Sequence, residues 1–539
     1  MKRTALLALA ILALAAPLAE AQLQYSVSNF FRYGNGNQFF GGQSGRKEYV
    51  EDQANVRLFW NDFTVGFQYQ YDDPPEFGPR YQGIRKRYVE FQRDGLQLTA
   101  GDFYTLYGKG LSMNLFENRG INYDTKLDGL RGVYHDDVVN VITALGTMKY
   151  YDLTNPDRIE TYSVRSGFFE LSPWSTLRVG ASLVGVTGNS PNEPYNDHLN
   201  ADILGGMASF RILGFDLYGE YAQKHSFGLQ QTGADRYVGF DRTGHAIYGN
   251  LSYTSESGFG ISAEYKNYQF DVVNPGERDP NRPTRMLPMA NPPTAFKEHS
   301  FNLLARKPHV IDFNDEVGWQ IDAFYSLSPT FTVSVNGSAA SRQKTWTGLP
   351  SGNYRVVDKS NTLFPAMDAD FWPFYEVYAE MEWYFDGQSY IRAAVARRAD
   401  TQFQELTREE HLQSSFTVPV RIEYMVTEEY SIGASLEQQR AHDSSYPDGT
   451  EDFWNEFISL TFAKAPLWAA TVRFEMTTDD NEPSGKKFWT VGEFSYRIGN
   501  AHTATVSYGT ERGGLVCSNG ICRQMNPFDG VRLQLVTQL

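Results

Sequence analysis

The feature that most constrains this chain is a two-residue periodicity that stops at tight turns and restarts beyond them. Val50 to Trp60 alternates apolar and polar residues, Asn61-Asp62 interrupts, and Phe63 to Tyr71 alternates again with Phe63, Val65, Phe67, Tyr69 and Tyr71 on one face. The unit recurs around Asp94-Gly95, Ser257-Gly258 and Asp386-Gly387, each a pair suited to a primed hairpin turn. The content of 33 Tyr and 37 Phe favours strands over helices.

Between the tight turns run longer polar connections, among them Asp72 to Arg85, Asn189 to Asn200, Asn274 to Glu316, Asp443 to Glu451 and Gly513 to Asp529. Short and long links alternate, which predicts an all-β, antiparallel transmembrane barrel of about 24 strands (range roughly 18–26), with short periplasmic turns and long extracellular loops. An even count puts both termini on the short-turn side. A secreted propeller or sandwich would also show many strands. Several strands here, however, have the ~10 residues needed to cross a bilayer at a tilt, and aromatics mark strand ends, as at Trp383 and Phe385. Alternation runs to the last residue through Val531, Leu533, Leu535 and Leu539, as expected of a closing strand. It is ambiguous over Val138 to Gly146 and Leu204 to Ile212.

The N-terminus combines Lys2 and Arg3, an apolar run from Ala5 to Ala16 and a small-x-small site at Ala19-Glu20-Ala21. That pattern predicts a signal peptide over residues 1–21 and a single barrel domain over 22–539. No later window is apolar enough for a membrane helix. A net charge of −16 argues against a nucleic-acid partner.

Both cysteines, Cys517 and Cys522, fall in the last long loop. An oxidising export route predicts a disulfide that stiffens the loop tip. Two thiolates with no nearby His are half of a zinc shell, and C-x4-C is not the redox spacing.

Three stretches, GDFYTLYGKGLSMNLFENRGINYDTKLDGLRG (101–132), NPPTAFKEHSFNLLARKPH (291–309) and GLVCSNGICR (514–523), resemble segments of an uncharacterised Gram-negative outer-membrane barrel family. The resemblance implies a barrel and an outer-membrane location. It brings no catalytic or binding residue with it.

A lipid-facing exterior turns the polar face of each strand inward. The expected lumen set in the later strands is Glu376, Glu380, Glu382, Arg392, Arg421, Glu423, Glu437, Arg473, Glu475, Glu493, Arg497 and Arg532, read as a wall of mutually neutralising charges. A barrel this wide needs a filling. The first strand starts near Leu23, which leaves no room for an N-terminal plug domain, so internal segments must supply it.

Gly101 to Gly132 is the first candidate, with Tyr104, Tyr107, Lys109, Phe116, Glu117, Arg119, Tyr123, Asp124 and Lys126 able to form two walls of an eyelet. The same residues could instead extend the flanking strands above the membrane. The second candidate is the proline-rich Asn274 to Glu316 link, a lid or inward fold. Its Glu298, His299, Arg306 and His309 match no metal-ligand spacing and read as a solvated loop. Asp479-Asp480-Asn481-Glu482 lacks the spaced ligands of a calcium loop and reads as a solubilising tip.

No G-x-S-x-G, H-E-x-x-H or Ser/His/Asp pattern is present, so no enzyme activity and no cofactor are expected. The leading expectation is a porin-like channel for small hydrophilic solutes, narrowed by inward-folded loops. Its rivals are a conduit or scaffold whose lumen holds a partner protein, which predicts outward-pointing loops, and surface adhesion through the loops.

Overall fold

The computed structural model describes residues 23–40, 43–151, 159–192, 195–233, 236–270, 287–348, 354–404, 409–518 and 521–539. The expected signal peptide lies outside the described residues. Twenty-four strands join in one antiparallel sheet. It closes because the first strand, Gln24–Phe40, pairs on one side with Gln43–Trp60 and on the other with the last, Phe528–Gln538, from Ser28 opposite Gln538 to Gln38 opposite Phe528.

Alternation carries each strand as expected. In Phe374–Tyr384 the inward Phe374, Glu376 and Tyr378 are buried while the outward Tyr375, Val377, Met381 and Trp383 are exposed to the lipid side. Aromatic rings pack together beside the tight turns: Trp60, Phe63 and Phe91; Phe215 and Tyr253; Trp383, Phe385 and Tyr424; Phe462, Trp468 and Phe494. They form the periplasmic interfacial girdle of an outer-membrane barrel.

One expectation needs correcting. Asn189 to Asn200 is not a loop for most of its length, because Leu177–Asn192 and Tyr195–Ile212 stay paired up to Asn192 opposite Tyr195. Where a ladder rises above the membrane both its faces meet water, so polar residues no longer signal its end. The ambiguous stretches are strands as well, and their alternation is blurred for a second reason. Ala144, Val164, Val184, Ile203, Ala222 and Ala246 face inward, are buried, and belong to one apolar cluster inside the barrel, while Leu145, Leu183 and Leu204 face lipid. In this sector both faces of the wall are covered by apolar matter.

Candidate functional site

What covers the inner face is the protein's own chain. After Gly101 the strand Leu96–Phe103 turns into the lumen. Gly101 has φ +107, and a Cβ there would sit 2.2 Å from the Arg87 carbonyl oxygen. The following segment crosses to the wall. Tyr107 stacks on Phe168 at 5.4 Å and its hydroxyl is 2.8 Å from Ser166 Oγ. Ser112 and Ser182 hydroxyls meet at 2.8 Å, and the Lys109 backbone N–H donates to Glu220 Oε2 at 2.6 Å. Gly108, with φ +55, leaves no room for a side chain against that same carboxylate, whose Oε2 would lie 2.6 Å from a Cβ. Leu111, Met113, Leu115 and Ile121 are buried with Phe103, Val164 and Val184.

The proline-rich link is the second filling segment. Asn114 and Asn291 donate to each other's backbone carbonyls at 2.9 Å, and the Tyr123 hydroxyl reaches Pro288 O and Asn291 Oδ1 at 3.2 Å. Met289, Phe296, Ile311 and Phe313 join the apolar cluster. Farther along, the contacts turn ionic. His299 Nε2 is 2.6 Å from Glu376 Oε1, and Arg398 Nε donates to Glu376 Oε2 at 2.6 Å while its Nη1 donates to Leu304 O and Lys307 O. Glu437 accepts the backbone N–H groups of Asn302 and Leu303 (2.9 and 2.7 Å) at the start of the short helix Asn302–Ala305. Arg306 pairs with Glu475 and donates to Gly513 O at 2.7 Å. His309 lies between Asp400 Oδ2 (3.1 Å) and Glu316 Oε1 (3.3 Å) on the face of Phe374. Burial works against its charged form, yet Asp400 and Glu316 together outweigh it, so its pKa lies above the ordinary imidazole value. The His299 and His309 side chains are thus buried in the lumen and Arg306 is half-buried there, not solvated as expected: wall carboxylates replace the water they would lose.

Two smaller contributions complete the plug. Glu76, from the Asp72 to Arg85 link, binds Arg32 (2.8 Å) and Arg532 (2.9 Å). In the last loop, Gly514–Ser518 and Ile521–Met525 form a hairpin with Cys517 opposite Cys522. Arg523 lies over Phe77 and donates to Ile121 O at 3.0 Å. The Cys517 side chain lies outside the described residues. The acidic tip also departs from expectation: Asp479 is buried and Glu482 pairs with Arg512 at 2.7 Å, so both are structural.

The eyelet residues do not face one another across the lumen. Tyr107, Lys109 and Phe116 pack in the plug, where the Lys109 ammonium sits 5.8 Å from the Tyr218 ring and Phe116 lies 4.9 Å from Tyr123. Tyr104, Glu117, Asp124 and Lys126 gather instead at one place in the wall. The Tyr104 hydroxyl donates to Asp124 (2.8 Å), Lys86 binds Glu117 (2.5 Å), Arg85 lies 3.7 Å from Asp124, and Lys126 binds Asp102 (2.7 Å). Burial, then the Asp124 and Glu117 carboxylates, push the Tyr104 phenol far above its ordinary pKa and keep it a donor. Arg119 is exposed beside Glu117 at 3.6 Å.

The remaining wall charges lie largely in pairs: Arg392 with Glu382 (2.5 Å) and Glu380 (3.9 Å), Arg473 with Glu493 (3.4 Å) and Glu511 (3.6 Å), and Arg532 with Glu511. Arg421 stacks over Phe301, and Glu423 and Arg497 are exposed toward the periplasmic end. Arg398, which bonds the plug backbone directly, was not singled out from the sequence; its inward register in the strand Tyr390–Gln404 was the available signal. Among the described residues no group of three or more His, Cys, Asp or Glu side chains is arranged to hold a metal ion.

Fold and filling together define a 24-stranded outer-membrane β-barrel plugged by its own loops. The chain belongs to the family of unknown function DUF6029, whose model matches residues 1–539. No curated protein matches it by sequence. Among solved structures it is similar to the siderophore receptor PirA from Pseudomonas aeruginosa (9% identity, TM-score 0.46, covering 95% of this chain and 80% of that one). It is likewise similar to the copper transporter OprC (10%, 0.46, 97% and 81%) and to the translocation pore of the P pilus usher PapC (10%, 0.38, 96% and 99%).

Proposed function

We propose that this protein is a gated outer-membrane passage for small hydrophilic solutes, closed at rest by the inward-folded segments 104–126 and 287–314. The carrying observation is that segment 104–126 docks mainly by apolar contact, whereas residues 299–309 of the second segment add ion pairs with the wall to theirs. Segment 104–126 buries apolar side chains against an apolar sector, at roughly 1.5–3 kcal/mol per side chain, which holds it firmly. Residues 299–309 also bury Phe301, Leu303 and Leu304, but their polar side chains rest on buried ion pairs, whose attraction is largely offset by desolvation, so a smaller share of their contact holds them in place. The ionic half is therefore the movable half. Lifting it uncovers the wall of Glu376, Arg398, Glu437 and Glu475 and joins it to the polar lower lumen of Glu380, Glu382 and Arg392.

An empty conduit for a protein partner would keep its loops outside, and adhesion would need no filling. The reading includes no catalytic step. Export through a cleaved signal peptide and a Cys517–Cys522 disulfide that fixes the hairpin over Phe77 belong to the same proposal. Planar-bilayer recording tests it: Arg398→Ala and Glu437→Gln should each raise the open probability well above that of the unaltered protein. Unchanged recordings from both would refute an ionic gate.

A further inference from the structure

The barrel wall is interrupted where the plug leaves it. Leu96–Phe103 and Leu127–His135 are much shorter than their neighbours Tyr81–Arg93 and Val139–Tyr151. The ladder beside Tyr81–Arg93 therefore ends at Tyr88 opposite Gly101, and the one beside Val139–Tyr151 ends at Thr147 opposite Asp128. Among the described residues, no ladder joins Tyr81–Lys86 to Met148–Tyr151 across the gap. What spans the gap is side-chain chemistry. The Arg85 guanidinium bridges the rings of Tyr81 (5.2 Å) and Tyr151 (5.4 Å), and behind it lie Lys86, Glu117, Asp124, Lys126 and Asp102, paired as described above.

The lipid side of the gap is unusual too. Arg87 and Asp128, 3.6 Å apart, point outward and are 72% and 50% exposed. Arg87 stands six residues above the periplasmic end of its strand, roughly 15 Å up a band about 25 Å tall, between the exposed Val89 and Ile84. A charge in that position is costly, and intramembrane charges commonly mark a path for polar groups. Directly below, Val89, Phe91, Leu98, Leu130 and Leu145 line a largely apolar groove of about 680 Å³, which the outward Arg165 and the inward Arg131 also border, a volume suited to hydrocarbon chains. The gap thus has a polar lining of three cations and three anions, an outward charge pair as its sill, and an apolar groove beneath it.

We propose that this gap is a lateral window through which an amphiphile with a zwitterionic headgroup enters from the outer leaflet, its chain in the groove and its headgroup passing Arg87 and Asp128 toward Glu117 and Lys126. Both signs of charge on the lining fit a headgroup carrying both signs. The route goes beyond the vertical passage and does not require residues 299–309 to lift.

The test uses a phosphocholine amphiphile with a photoreactive benzophenone on its headgroup, incorporated with the intact protein into liposomes. Labelled peptides are then mapped. Label is expected on 115–126, inside the window, as well as on the outer wall. Tyr81→Cys and Tyr151→Cys, bridged by a bis-maleimide after folding in a Cys517→Ser, Cys522→Ser background, should abolish the inner label and spare the outer. Arg87→Leu combined with Asp128→Leu should reduce the inner label in a chain that keeps its native cysteines. Label confined to the outer wall, or inner label indifferent to both changes, would overturn the window. The single-channel behaviour of Arg398→Ala is independent of either result, so failure here and failure of the ionic gate are separately visible.

Discussion

Tyr107 shows how much one side chain can hold in this lumen. Fully buried, stacked on Phe168 and bonded to Ser166, it anchors a segment whose only sheet at that point is the two-residue ladder of Leu106–Tyr107 against Met113–Asn114. Tyr107→Ala should destabilise the docked segment by about 3 kcal/mol through lost burial and the cavity left behind, whereas Tyr107→Phe should cost about 1 kcal/mol, the hydroxyl contact alone. Amide hydrogen exchange of residues 106–115 measures both.

His309 makes the opposite kind of anchor, one that titrates. Because its pKa is raised by Asp400 and Glu316 against the penalty of burial, its contribution is complete below the ordinary imidazole value of about 6.5 and is lost as pH rises through the higher folded value. Lys266 and Arg342, which also bind Glu316, compete for the same carboxylate and limit the effect. Hydrogen exchange of residues 299–311 should accelerate between neutral and alkaline pH, and His309→Asn should flatten that change. Equal protection across the range would show that His309 carries no part of the docking.

At the scale of elements, the strands and the two segments that fill the lumen were legible, and the partners of the filling residues were not. Alternation and paired turn residues located the hairpins at Asn61-Asp62, Asp94-Gly95 and Asp386-Gly387, since a strand with water on one side and lipid on the other must alternate. The same rule fails where both faces meet apolar matter, which is why Val138 to Gly146 and Leu204 to Ile212 were ambiguous. That ambiguity was itself a trace of the plug, because Ala144 and Ile203 turn inward to meet it. The residue types of the Gly101 to Gly132 stretch pointed to a special segment, but pairing depends on depth and tilt that spacing does not encode. Tyr104, Glu117, Asp124 and Lys126 consequently gather in the wall and not across a pore. A further element-scale prediction concerns the terminal hairpin. Reduction of the proposed Cys517–Cys522 disulfide should loosen Arg523 from Phe77 and Ile121 and increase proteolysis after Arg523, with little effect on barrel stability.

For the molecule as a whole, strand count creates the need for a filling, and the connectivity answers it without a separate domain. One sector of the wall is apolar inside and out and holds its plug segment by burial. The other adds ion pairs close to balance to the burial of Phe301, Leu303 and Leu304. Under the proposed gate, that asymmetry assigns rest and motion to different halves of one lumen.

The most direct test of a loop-closed lumen is the single-channel conductance of the purified protein, with and without replacement of residues 106–125 by a short Gly-Ser link. The intact protein should be closed or open only briefly, at small conductance, and the replaced form should show large, steady conductance. A large, steady conductance from the intact protein, or no increase after replacement, would contradict it.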